Sequence, residues 1–481
     1  MIETGITVLR LLLGLGAIFY LGYALLTLLV PRPRDFSCLE RAAFSFGVGA
    51  VALTLWMLAL TWRGAPFGLA WILGPPLALA AAVLLAPRGR RAIREDKRAL
   101  RVRPPMALSG WDWLFLGLLA MVFLYALPRA ALYPMWAWDA IATWGCKAKI
   151  FHDTKGMDLI CIDAHNYYPN LIPLLLSYLY FALGQVNDYL VNAIFPLWGA
   201  LLLGLLYSLA ARLGLSRRSA LGLTAFLALN GTVFIVHLYI AYADLPLAFF
   251  TLGGAALLYL WLAGAAPRGS LTLAAGFLAG MAWCKYEGPP LAATLILAAA
   301  LTLAWLRPAR WVRRLGQLSV PLAGLVVGYL PWRLFIGQQK IEIGTDHIQG
   351  FYPHQMVQGI YYLLAGLVEP FYFGFLWPAL ALALILAGNR LWRSPRLFLA
   401  LFVGGNLLAI ILAYAVAPTG AAEFPAYVRA TLDRLLLHLT PVAALFLALG
   451  LKDLDPSPAP DPVRANQGHP VIANSRPGRP P

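Results

Sequence analysis

"AAGFLAGMAWCKYEGPP" occupies Ala274 to Pro290. An apolar run, 271–284, stops at Lys285 and Glu287, and Pro289 and Pro290 follow at once. A full bilayer crossing takes roughly 20 apolar residues, so this run is short. The residue before a proline also disfavours helix. The stretch reads as a helix that breaks part-way into a membrane, which is tolerated only inside protein or beside a wet cavity. The rest of the chain supplies the membrane context. Of 481 residues, 61% are hydrophobic and only 12% charged, whereas soluble domains carry about a quarter charged residues.

Working outward, apolar runs predict helices near 8–30, 42–62, 67–87 and 111–132, followed by a long loop over 133–168. Further helices are predicted near 189–212, 219–237, 243–264, 271–284, 289–306, 316–335, 369–388, 397–417 and 435–450. The fold class is an all-α, polytopic membrane protein with about thirteen transmembrane helices. A transmembrane β-barrel would show short alternating segments instead. The run 171–184 is too short for an easy span and reads as a juxtamembrane or re-entrant helix. No repeat of fixed period is visible.

The formal net charge is +16, from 37 basic and 21 acidic residues. In this chain the charge reads as a topology signal rather than a nucleic-acid surface, because the cations sit in short loops. The strongest cluster is "PRGRRAIREDKRALRVRPP", Pro87 to Pro105. "RLGLSRR" (Arg212 to Arg218), "RPARWVRR" (Arg307 to Arg314) and "NRLWRSPR" (Asn389 to Arg396) join it on the cytoplasmic side. The start, "MIETG", has no basic region, which favours a first helix with its N-terminus outside over a cleaved signal. Three parts follow: 1–110 with extra helices and a basic loop, a core over 111–451, and a Pro-rich cytoplasmic tail, 452–481, expected to be disordered. Cys146 and Cys161 share the outside loop, where a disulfide is possible. No His/Cys spacing resembles a zinc site.

That topology gathers ionisable residues on the outer side. Asp139 opens the long loop in "YPMWAWDAIATWGCKAKIF". Asp244 lies between two helices in "HLYIAYADLPLAFF". Lys285 and Glu287 mark the broken helix. Asp433, Arg434 and His438 sit in "VRATLDRLLLHLTP" at the outer start of the last helix. Charges at membrane depth are expensive and tend to line functional cavities. Plainer readings stand beside this one. Asp139 and Asp244 are also suited to cap helices, and Lys285 and Glu287 to satisfy each other. Arg434 is suited to snorkel to headgroups. Tyr133, Trp136, Trp138 and Trp144 fit the interfacial aromatic belt.

These motifs together resemble the GT-C superfamily of multi-spanning glycosyltransferases, in particular its protein O-mannosyltransferase-like and lipid A aminoarabinose transferase-like members. An acid, Asp139, lies early in the first large outside loop of the core. "YYPNLIPLLLSYLYFALG" (Tyr167 to Gly184) resembles the family's Tyr-Pro-Pro-Leu stretch. "AAGFLAGMAWCKYEG" (Ala274 to Gly288) resembles its Gly-rich helix ending in a Lys-x-Glu-Gly-like motif. Two departures are visible. Ala140 follows Asp139 where many relatives have an Asp-Glu pair, so a divalent metal is not indicated. Asn170 replaces the second proline.

The resemblance implies a bacterial inner-membrane enzyme with an extracytoplasmic site and a GT-C-like core. Its donor would be a polyprenyl-phosphate-linked sugar and its acceptor a hydroxyl of a lipid, glycan or protein. It implies Asp139 as general base and Lys285, then Arg434, as cations for the donor phosphate. Asp244, Glu287 and His438 would orient substrate, with Tyr133, Trp138 and Tyr168 against sugar rings. Two other classes fit parts of the pattern. A transporter also uses broken helices, but no internal repeat is visible and the acids gather at one face. An O-antigen ligase or polymerase uses a large outside loop with His and Arg; 337–356 supplies His347 and His354 but no arginine.

Overall fold

The computed structural model describes residues 2–101, 107–160, 162, 164–341, 350–420 and 422–454. Among these there are helices and no strands. The N-terminal part contains α1 (Ile2–Leu29), α2 (Cys38–Trp62), α3 (Leu69–Leu85) and α4 (Pro87–Arg101). Next come α5 (Gly110–Ala131), then α6 (Cys146–Asp153) and α7 (Leu171–Leu183) in and after the first long loop. The chain continues through α8 (Ile194–Arg212), α9 (Arg217–Leu229), α10 (Thr232–His237), α11 (Asp244–Leu262), α12 (Ser270–Cys284) and α13 (Gly288–Leu306). The last third is α14 (Trp311–Gln317), α15 (Ser319–Gln338), α16 (Pro353–Val368), α17 (Pro370–Phe373), α18 (Leu376–Trp392), α19 (Arg396–Ala415) and α20 (Phe424–Leu454).

Among the described residues, nine helical segments are long and apolar enough to cross a bilayer. The chain is a polytopic all-α membrane protein. The other four segments counted from the sequence are present but shorter or broken. α3 bends by 76° into α4, α12 has 15 residues, and α18 has 17. The run 219–237 is interrupted between α9 and α10 at Asn230 and Gly231.

Other boundaries also move. The last helix starts at Phe424 rather than 435 and includes 452–454, which the sequence reading gave to the tail. Residues 455–481 lie outside the described residues. α16 lies where the sequence reading placed no helix, and its first four residues fall in the loop read over 337–356. The helix expected from 369 begins at Leu376, after the short turn α17.

Local chemistry explains several helix starts. Ser37 and Glu40 form a reciprocal capping box at α2, as do Ser109 and Asp112 at α5. Each cap satisfies free N–H groups at a helix end. Both acids then hold a later helix. Glu40 pairs with Arg212 at 2.6 Å, and Asp112 with Arg217 at 2.5 Å. These four residues mark one end of the bundle, here the basal end. Two contacts mark the other end: the Trp62 indole donates to Gln338 at 2.8 Å, and the Phe67 amide donates to the Lys155 carbonyl at 2.6 Å.

α11 is the axis of the molecule. It is almost wholly buried and packs on α8, α12, α13 and α20. α12 is covered in turn by α15, and the two come unusually close. A Cβ added at Gly324 or Gly328 would meet the carbonyl oxygens of Ala275 or Ala279 at 2.1 or 2.2 Å. This "GLVVG" stripe is the small-xxx-small packing by which membrane helices touch backbone to backbone. The short α7 is fully enclosed by α1, α2 and α6, so it reaches protein rather than lipid.

Candidate functional site

The first long loop brings its acid inward by an unusual route. Ala140–Gly145 forms a wide π-helical turn that runs directly into α6. Lys147, on α6, is fully buried and its Nζ donates to the His165 carbonyl at 2.5 Å. The indole of Trp332 donates to the Tyr167 carbonyl at 2.9 Å. These contacts fix the returning chain so that the Tyr168 ring stacks on Tyr286, 5.6 Å away and 12° from parallel. The proposed pairing of Cys146 with Cys161 lies outside the described residues, as does His347.

At the head of that turn stands Asp139. Its side chain makes no capping bond. Instead, Oδ2 accepts a 2.6 Å hydrogen bond from Arg434 Nη2. The Asp139 amide donates to the Tyr242 hydroxyl at 3.4 Å, and the Arg434 guanidinium lies 4.7 Å over the Tyr242 ring. So Asp139 does not serve as a helix cap, and Arg434 does not reach for headgroups.

Asp244 sits below this pair as the first residue of α11, with 0% of its side chain exposed. It does not cap its own helix either. Oδ1 receives Lys285 Nζ at 2.7 Å and lies 3.0 Å from His438 Nε2; Oδ2 receives Arg434 Nε at 3.3 Å. Lys285 also pairs with Glu287 at 2.9 Å. The lysine stands where α12 has ended and α13 has not begun. The backbone break read from the sequence is therefore present, and it turns a lysine into the protein interior. Lys285 is 2% exposed and His438 1%, whereas Asp139 and Arg434 each keep 17% of the side chain open to solvent.

Six of the candidate residues are thus joined by ion pairs: Asp139, Asp244, Lys285, Glu287, Arg434 and His438. Asp433 is in none of these ion pairs; its Oδ1 accepts the amide of Arg434 at 2.8 Å. Tyr168 stacks one ring away from the Lys285–Glu287 segment through Tyr286. Tyr133 and Trp138, 61% and 73% exposed, point outward. Tyr242 and Tyr286 were missed from the sequence, although they flank Asp244 and Lys285 in the motifs already quoted. Among the described residues, no three His, Cys, Asp or Glu side chains converge as a metal-binding group; the acids here face cations.

The charge count has a chemical consequence. Three carboxylates, Asp139, Asp244 and Glu287, face Lys285 and Arg434, with His438 as the sixth member. Every cation is engaged, so an incoming anion must displace a carboxylate to reach one. The more exposed of the two, and the one at the rim, is Arg434.

The fold has a solved counterpart. The crystal structure of ArnT from Cupriavidus metallidurans in the apo state superposes over 72% of this chain with a TM-score of 0.50 and 16% identity. Over that region the chain shares the fold of the ArnT structure. It spans 60% of the length of that ArnT chain. A structure of the Archaeoglobus fulgidus oligosaccharyltransferase, tethered to an acceptor peptide containing the NVT sequon, also matches 72% of this chain. The match takes in 50% of the oligosaccharyltransferase chain, with a TM-score of 0.41 and 14% identity. No protein-family model and no curated protein sequence matches. In the fold seen here, the ionic cluster joins the first long loop to α11, the α12–α13 break and α20.

Proposed function

We propose that this chain is an inverting glycosyltransferase. It moves a sugar from a polyprenyl-phosphate donor to a hydroxyl of a lipid, glycan or protein acceptor, at the extracytoplasmic face of a bacterial inner membrane. The observation that carries the reading is the Asp139–Arg434 ion pair at the rim of a buried Asp244–Lys285–His438 cluster. A carboxylate beside a cation, at the membrane edge, is the pair of charges this reaction needs. The GT-C fold supports the reading.

In this mechanism the donor phosphate exchanges for Asp139 on Arg434. The exchange keeps the guanidinium neutralised and frees the carboxylate. The acceptor oxygen then attacks the anomeric carbon, and its proton passes to Asp139. The bond from that carbon to the phosphate oxygen breaks, and its electron pair leaves with polyprenyl phosphate, inverting the anomeric centre. Arg434 stabilises the leaving charge, with Lys285 behind it. The different exposures of the two cations favour Arg434 as the first phosphate contact, the reverse of the order inferred from the sequence. Asp244, Glu287 and His438 hold the cations in place. Tyr168 offers the loop's sugar-facing ring, supported by Tyr286.

The test uses the purified full chain in detergent with polyprenyl-phosphate sugars and candidate acceptors, guided by mass spectrometry of glycolipids from cells with and without the gene. Transfer with inverted anomeric configuration is expected. Unchanged glycolipids together with no transfer from any polyprenyl-phosphate sugar would overturn the reading.

A further inference from the structure

A second construction occupies the basal end, far from the ionic cluster. α4 leaves α3 at the 76° bend and turns one stripe inward: Gly89 and Ala92 are buried, with Ile93 and Asp96 half-buried beside them. Both acids of the helix are engaged on this side. Glu95 pairs with Arg34 at 3.6 Å. Asp96 pairs with Arg41 at 3.6 Å and accepts the Tyr23 hydroxyl at 2.7 Å. The other face carries Arg90, Arg91, Arg94, Lys97 and Arg98, all exposed. Among the described residues, no carboxylate pairs with any of these five.

At the bend lies a cavity of about 320 Å³, walled chiefly by Leu28, Ala82, Val83 and Ala86, with Arg88 beside them. Its polar groups are already used. The Thr27 hydroxyl donates to the Ala24 carbonyl at 2.7 Å, and Arg88 donates to the Val30 carbonyl at 2.9 Å. An apolar space therefore opens at the root of a helix whose outer face is uniformly basic.

We propose that the α3–α4 bend binds an anionic phospholipid of the adjoining leaflet, with an acyl chain in the cavity and the headgroup phosphate on the exposed face of α4. Orientation of a membrane protein requires only that basic residues be numerous on one side. It requires neither that the acids be turned inward and paired, nor that the cations be sorted onto one face, nor that an apolar cavity adjoin them. Clustered cations on an amphipathic helix attract acidic lipid headgroups, and the cavity supplies the chain-binding half. The proposal is independent of the glycosyltransferase reading.

The full chain in detergent is mixed with phosphatidylglycerol or phosphatidylcholine of identical acyl chains, and retained lipid is counted by native mass spectrometry. Phosphatidylglycerol should be retained at least tenfold better. The combined Arg90→Gln, Arg91→Gln, Arg94→Gln variant, changed only on an exposed face, should lose most of that preference. Ala82→Phe or Ala86→Phe, each filling the cavity, should lower retention of both lipids. Equal retention of the two lipids overturns the proposal, as does an unchanged preference in the triple variant. Displacement of phosphatidylglycerol by equimolar inorganic phosphate would also overturn it, because a soluble anion would then suffice.

Discussion

Arg434 on the last helix and Asp139 in the first long loop are 295 residues apart in sequence and 2.6 Å apart in space. This contact makes Asp139 testable as a base. Asp139→Asn keeps the side chain's size and can still accept a hydrogen bond from Arg434, but it cannot take up the acceptor's proton. Turnover should fall by about 10²–10⁴-fold, while binding of the polyprenyl-phosphate donor persists or tightens, since one competitor for Arg434 has been neutralised. Turnover and donor affinity are measured on the same preparations. Turnover near that of the unsubstituted protein would remove Asp139 from the mechanism.

Asp244 is predicted to matter first for stability. Asp244→Ala leaves Lys285, Arg434 and His438 without their shared acceptor. Breaking a buried pair from one side costs about 3–5 kcal/mol. Thermal unfolding in detergent should register a large loss. Adding Lys285→Met should recover part of it, because an apolar pair can replace a buried ionic one, without restoring activity. A single variant as stable as the unsubstituted protein would mean the cluster does not hold the helix ends together.

The α12–α15 contact gives a packing prediction. Gly324→Leu and Gly328→Leu each push a side chain into a carbonyl of α12. Overpacking of this kind costs about 1–3 kcal/mol. Because α12 leads directly into Lys285, both variants should also weaken donor binding. Stability and donor affinity unchanged in both would show that the two helices separate freely.

Lys147 predicts a pH effect. Its amine is buried in the loop, and loss of hydration lowers its pKa from 10.5 to about 7. The unfolded chain therefore binds the extra proton between pH 7 and 10.5, so stability should rise with pH across that window and level off below it. Lys147→Met removes the titration. Its apparent unfolding temperature should show a flatter slope from pH 7.5 to 9.5 than that of the unsubstituted protein. Identical slopes would count against a buried, neutralised lysine.

The ionic site was legible because charge is conspicuous in an apolar chain. Asp139, Asp244, Lys285, Glu287, Arg434 and His438 each stand at the edge of a hydrophobic run, and the run count brings those edges to one side. The aromatic contacts were less legible. Trp138 and Tyr168 are equally at home in an interfacial belt, and sequence does not say which ring turns inward. The structure leaves the first exposed and stacks the second on Tyr286. α16 escaped because Gln355, Gly359 and Gly366 interrupt its apolar pattern. Those same residues face inward in the structure: Gly359 lies against Tyr414, and Gly366 against Leu432. The proline break next to Lys285 was legible, but the depth of burial that separates Lys285 from Arg434 was not.

Arg434 and His438 are carried by α20, and this has a consequence for how the protein is made. Synthesis proceeds from the N-terminus, so Asp139, Asp244 and Glu287 reach the membrane before either residue exists. Until α20 enters, those three carboxylates share Lys285 alone. Without α20 the cluster holds three carboxylates against one lysine. A nascent chain halted before Phe424 cannot close it. The centre of the molecule is thus closed by α20, the helix farthest in sequence from the acid it neutralises at the rim.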